Sequence, residues 1–176
     1  MTQLSVREMQ ESDVLSIVGY WTKSTPEHLQ GMGVDIQKMP SPTVLEQMLN
    51  AQLRLPLQER RSFCLIWESD GVPVGHCNTN PTYFGEYAYM HLHIWPEAAR
   101  QKGMGLSLLQ KSLPLFFRVL QLKTLFCEPY ALNEAPNRTL AKAGFRLEKE
   151  YITIPGSLNF EQPVNRWVIR RSEVPA

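Results

Sequence analysis

No sign of charge dominates the 176 residues: 18 Lys and Arg stand against 17 Asp and Glu, a formal net charge of +1. A protein that grips duplex nucleic acid through its phosphates is far more basic, so no nucleic-acid partner is expected. Long apolar runs are also missing. The best stretch, LPLFFRVLQL, is short and broken by Arg118, so no membrane span is expected. Arg7, Glu8, Glu11 and Asp13 crowd the first residues with no apolar h-region behind them, which argues against a secretory leader. Cysteine is scarce and odd in number. Cys64, Cys77 and Cys127 form no CxxC pair and sit in apolar or strand-like stretches, so they read as buried, reduced thiols of a cytoplasmic protein. Repeats, low-complexity tracts and Gly/Ser-rich linkers are absent.

What remains is an ordinary globular balance, 43% hydrophobic and 20% charged, over one domain spanning residues 1–176. LSVREM reads as a first strand. Ser12 or Asp13 is placed to cap a helix whose Val14, Ile17, Val18 and Trp21 recur at helical spacing. TPEHLQGMGVDIQKMPSP reads as a break punctuated by Gly and Pro, and a second helix is expected from Thr43 towards Leu57. SFCLIWES, apolar on both alternating faces, is a strand covered on both sides. Asp70-Gly71 is a hairpin signal. VPVGHCNTN and EYAYMHLHIW continue as strands. GMGLSLLQKSLPLFFRVL is a helix that Pro114 should kink or divide. TLFCEPYA is a short strand. NEAPNRTLAKAG is a short helix with Asn133 as N-cap and Gly144 as its stop, and FRLEKEYITI and VNRWVIRR are two last strands. The order β-α-α-β-β-β-α-β-α-β-β predicts a mixed α+β fold.

The chemistry concentrates in Arg100-Gln101-Lys102-Gly103-Met104-Gly105, between an apolar strand and an apolar helix. The glycines let backbone turn and approach a ligand, and the amides that open a helix lack intrahelical partners and carry partial positive charge. A pyrophosphate fits such a site. The Rossmann fingerprint fails at Leu108, and no GK[ST] follows for a Walker loop.

Arg100 to Gly105 match the [Q/R]-x-x-G-x-[G/A] loop of the GNAT superfamily of acyl-CoA-dependent N-acyltransferases. Asn133-Glu-Ala-Pro136-Asn137-Arg-Thr-Leu140-Ala-Lys-Ala-Gly144-Phe145 resembles its second motif, an Asn before a short helix ending in Gly-Phe. Both occur in the family's order and separation. The resemblance implies a mostly antiparallel sheet of about seven strands with about four helices, splayed between strands 4 and 5. It implies acetyl-CoA as donor and no metal. The pyrophosphate would sit on Gln101 to Gly105, beside Arg100 and Lys102. The pantetheine arm would pair with backbone near Leu92, Ile94 and Trp95, where a main-chain N–H would polarise the thioester carbonyl. Asn133 and Asn137 would bind the CoA arm.

An alkyl amine with a pKa near 10.4 is only ~10⁻³ free base at neutral pH, so attack on a thioester needs a route for its proton. His91 and His93 are two apart on a strand and share a face with Tyr87 and Tyr89. The pair is similar to one on the corresponding strand of serotonin N-acetyltransferase, offset by two residues from the loop. A metal site is the less favoured reading of the pair, because two His at this spacing lack an obvious third ligand. Glu86 is an alternative base acting through water. Many family members place a Tyr general acid where this chain has Leu140, so either Tyr130 protonates the departing sulfur or solvent does.

Family acceptors enter between the first two helices and the strand 3–4 hairpin. Tyr83, Phe84 and Tyr87 would form an aromatic wall there, joined by Trp21 and His28. Few acids are present to recognise a polycation. The expectation is a monomeric or homodimeric N-acetyltransferase that takes a primary amine of a small molecule or peptide. Two alternatives stand beside it. One is a siderophore-type hydroxylamine acyltransferase, from the similarity at His91 and Glu128-Pro129, although Tyr130 replaces that group's acid. The other is a non-catalytic acyl-CoA-binding protein, from the missing Tyr at Leu140.

Overall fold

Residues 1–95 and 103–174 are described by a computed structural model. β1 (Leu4–Glu8) lies antiparallel to β2 (Phe63–Ser69). Asp70 and Gly71, with φ of 51° and 76°, make the tight turn from β2 into β3 (Val72–Tyr83), as DG pairs do in hairpins. β4 (Tyr87–Ile94) returns antiparallel to β3. β5 (Thr124–Cys127), β6 (Arg146–Thr153) and β7 (Gln162–Arg170) complete one seven-stranded sheet in the order β1-β2-β3-β4-β5-β7-β6. The β4–β5 pair alone is parallel.

Five helices flank the sheet among the described residues, one more than expected. α1 (Val14–Lys23) and α3 (Pro42–Arg54) pack together through Val14, Val18 and Leu45, and cover one face over Cys64 and Ile66. α4 (Met104–Val119) and α5 (Glu134–Lys142) cover the other. There Leu65, Trp67, Met90 and Leu125 meet Leu108, Leu109, Leu113 and Phe116 of α4 and Leu140 of α5, all at 1% exposure or less.

The segment read as a break holds α2 (Pro26–Gly31) and a 3-10 turn at Ile36–Lys38. Its start signals are local: Thr25 Oγ1 accepts the His28 N–H, and Pro26 occupies the first turn. The expected cap of α1 by Asp13 gives way to a different use. That carboxylate accepts both Arg7 guanidinium nitrogens, at 2.7 and 2.9 Å, and the Gln10 N–H at 2.8 Å. α3 stops at Arg54, because Leu55 precedes Pro56 and turns extended. α4 runs through Pro114 undivided, since its buried face outweighs one lost backbone hydrogen bond.

One glycine is required by a close approach. A Cβ on Gly75 in β3 would stand 2.5 Å from the His93 carbonyl oxygen of β4. Its absence lets the two strands close beneath the histidines.

Candidate active site

The β4–β5 pairing spans only Tyr87–Thr124, Ala88–Leu125 and Tyr89–Phe126. β4 then continues through Met90 to Ile94 on the β3 side alone. The Trp95 N–H donates to the Val74 carbonyl at 2.9 Å, so residues 95, 93 and 91 turn their backbone groups towards β3. By strand alternation, Leu92 and Ile94 turn theirs into the gap that β5 has left. The expected splay is present. Trp95 is corrected, because its N–H is committed to β3. α4 approaches this gap closely: a Cβ on Gly105 would lie 3.1 Å from Ile94 Cδ1. Gly103 precedes α4 at φ 90°, a conformation that favours glycine. Arg100, Gln101 and Lys102 lie outside the described residues.

Asn133 precedes α5 at the other wall, half-buried, with no cap bond from its side chain. Asn137 is corrected. Its Oδ1 accepts from Asn165 Nδ2 and Trp167 Nε1 at 2.9 and 2.8 Å, and its Nδ2 donates to the Tyr130 and Asn133 carbonyls at 3.1 and 2.8 Å. Four bonds use its full capacity, so it braces α5 against β7 and has none left for a ligand.

The sheet face carrying Tyr89, His91 and His93 looks towards α1 and α2. His91 Nε2 lies 2.9 Å from the Asn80 carbonyl oxygen. A carbonyl only accepts, so Nε2 carries the proton and Nδ1 keeps its lone pair. His93 Nδ1 and His28 Nε2 each lie 3.2 Å from the buried Tyr20 hydroxyl. His93 stacks on His76 at 4.8 Å, and His76 Nδ1 accepts from Trp95 Nε1 at 3.0 Å. Trp21 closes on His93 at 4.9 Å.

Close packing strips hydration from these rings although His91 and His93 keep some solvent contact. Burial pushes His76 down to about 3. It holds His93 well below the ordinary histidine value, with His76, His91 and His28 adding to the effect. Burial lowers His91 too, against the opposing pull of the Asn80 carbonyl and Glu128. All three rings are therefore neutral at pH 7 and hold lone pairs. Tyr20 is raised by burial and stays protonated.

Other expected residues fall elsewhere. Tyr83 and Tyr87 stack at 4.6 Å, and Arg61 lies 4.3 Å over Tyr83. With Phe84 in the turn, they sit at the closed end of the β4–β5 pair, about 16 Å along the strand from Leu92. Glu86 is there as well, ion-paired with Lys123 at 2.8 Å. The structure does not bring these four to the gap. Tyr130 lies beyond β5, 5.8 Å from Phe160, in an open groove with Gln30, Val34, Ile36 and Gln37.

Sequence reasoning passed over Tyr20, His76 and Glu128. Glu128 follows Phe126 by two residues, as His91 follows Tyr89, so the alternation count was available. Tyr20 and His76 reach His93 only through non-local pairing.

Among the described residues, no group of three or more His, Cys, Asp or Glu is placed to hold a metal, and no helix is long and apolar enough to cross a membrane.

The site is thus a parted parallel strand pair with a glycine-led helix at its mouth, within a mixed α+β fold. A family model for the acetyltransferase (GNAT) domain matches residues 3–146, so the chain belongs to that family: it is an acetyl-CoA-dependent acyltransferase that acetylates amines. Spermidine N-acetyltransferase from Vibrio cholerae, solved with CoA and spermine, superposes with a TM-score of 0.78 at 19% identity, over 98% of each chain. RimL, a ribosomal L7/L12 α-N-protein acetyltransferase solved with CoA, gives 0.74 at 17% identity, over 95% of this chain and 93% of that one. At such identities the likeness is one of fold. No curated protein matches by sequence.

Proposed function

We propose that this protein transfers the acetyl group of acetyl-CoA to a primary amine of a small molecule or peptide by direct attack on the thioester, with His91 as the base. The observation that carries the reading is the His91 tautomer: Nε2–H is spent on the Asn80 carbonyl, and the Nδ1 lone pair is kept one residue from the backbone that faces the gap. The free N–H and C=O groups of Leu92 and Ile94 would hold the pantetheine arm as an added strand, and an N–H there would polarise the thioester carbonyl. Gly103, Met104 and Gly105 would present the opening amides of α4 to the pyrophosphate. Asn133, with its side chain uncommitted to the helix cap, would reach the same arm.

In the reaction the amine nitrogen bonds to the carbonyl carbon, the C–S bond breaks, and the thiolate takes a proton. His91 Nδ1 receives the proton that the amine gives up. The charge it gains is favoured by the Asn80 carbonyl and Glu128. Tyr130 would return a proton to sulfur; otherwise solvent does so.

An acceptor screen with acetyl-CoA and thiol detection tests this. Amine-dependent thiol release that His91→Ala abolishes supports it. Turnover confined to hydroxylamines, or none with any amine, rejects it.

A further inference from the structure

Beyond the last β4–β5 pair, the first same-face residue on β4 is His91, and on the β5 side it is Glu128, the residue that follows the strand. Side-chain contacts fix Glu128 on that face. Its carboxylate accepts the Tyr151 hydroxyl. Tyr151 pairs with Val164, two residues from Arg166 on β7, and the Arg166 guanidinium stacks 4.1 Å over Phe126. Arg166 is engaged by Glu148 at 3.0 Å, and among the described residues Glu128 has no cationic partner. One oxygen of a half-buried carboxylate is thus left free at the mouth of the gap.

From Glu128 the wall continues two residues on to Tyr130, which bridges to Val164. There it meets Phe160, Val34 and Ile36. The one acid in this groove, Asp35, is already engaged by the Gln37 N–H at 3.1 Å and by Lys38. Among the described residues, the Glu128 carboxylate thus stands two residues from an open groove whose walls include Val34, Ile36, Tyr130 and Phe160.

We propose that Glu128 is an ammonium-binding subsite that holds the acceptor's protonated amine opposite His91, and that the acceptor carries one charge on an apolar or aromatic body. This rests on the acetyl-transfer reading and narrows its substrate class. The carboxylate attracts the amine in its abundant cationic form, and His91 Nδ1 then lies across the gap to take the proton. A polyamine would need several carboxylates along the groove, and among its lining residues Asp35 is the one acid, with Lys38 4.0 Å away.

Calorimetric titration of 2-phenylethylamine into the CoA-saturated protein tests the subsite without turnover. The wild type is expected to bind it at least tenfold tighter than 2-phenylethanol, which lacks the charge, and tighter than spermidine. Glu128→Gln keeps an acceptor for Tyr151 and should lose at least tenfold for the amine, with the alcohol unchanged. Glu128→Asp should recover part of that loss. Unchanged amine affinity in Glu128→Gln, equal affinity for amine and alcohol in the wild type, or preference for spermidine overturns the proposal. Tight, Glu128-dependent amine binding with no thiol release from acetyl-CoA would leave the subsite standing and reject the transfer reading instead.

Discussion

His91 and His93 look equivalent in the sequence, and their hydrogen bonds divide them. Among the described residues the Nδ1 of His91 has no partner, whereas the Nδ1 of His93 is held by Tyr20. Replacing His91 by Ala should lower kcat by about 10²–10⁴, the usual worth of a general base, with the KM for acetyl-CoA little changed. Because burial lowers its pKa, the acid limb of the pH profile of kcat/KM should fall below pH 6.5, read by steady-state thiol release. His76 makes a different prediction. Its folded pKa of about 3 lies below the unfolded value near 6.5, so unfolding takes up a proton between those limits. Stability should therefore fall as the pH drops through that window, by about 1.4 kcal/mol per unit for this group alone. His76→Gln should flatten the slope, measured by urea unfolding at pH 7.5, 6 and 5. The His-x-His spacing was legible because a strand's period of two acts within one segment. Tyr20 and His76 were not, because their positions depend on strands and helices up to 73 residues apart.

At the scale of elements, the seven strands and the four longer helices follow from periodicity and turn chemistry. The misreadings share a cause: local signals competed with tertiary contacts. Asp13 had the chemistry of a helix cap and was taken by Arg7, a residue of the neighbouring strand. Asn137 had the chemistry of a ligand and was taken by Trp167 and Asn165 of β7. Asn137→Ala should accordingly act on stability before it acts on binding. It strands two donors and two acceptors in a half-buried seam, a cost of about 3 kcal/mol or more. That is a fall of roughly 6–12 °C in Tm by calorimetry. Gly75→Ala tests the strand contact beneath the histidines. Its Cβ meets backbone that no rotamer change can move, so β3 and β4 must part. About 1–3 kcal/mol of stability should be lost, together with activity, because His93 sits on the displaced carbonyl.

Considered whole, the sheet is two antiparallel halves joined by one short parallel seam. β1 to β4 form one half and β5 to β7 the other, with three residue pairs between β4 and β5. A donor lying in the gap completes the sheet where the protein leaves it open, so binding should be visible in individual amides. In the free protein, the N–H groups of Leu92 and Ile94 should exchange with deuterium faster than that of Trp95, which is bonded to Val74. Saturating acetyl-CoA should slow Leu92 and Ile94 at least tenfold and leave Trp95 nearly unchanged, giving an internal control one residue away. The same ligand at a hundred times its Kd adds about 2.7 kcal/mol to the folded state, which raises Tm by roughly 5–11 °C. Equal protection of all three amides in the free protein would mean that the gap is already closed. A rise in Tm without slowing at Leu92 and Ile94 would place the donor elsewhere on the molecule, and the catalytic role of His91 would fall with it.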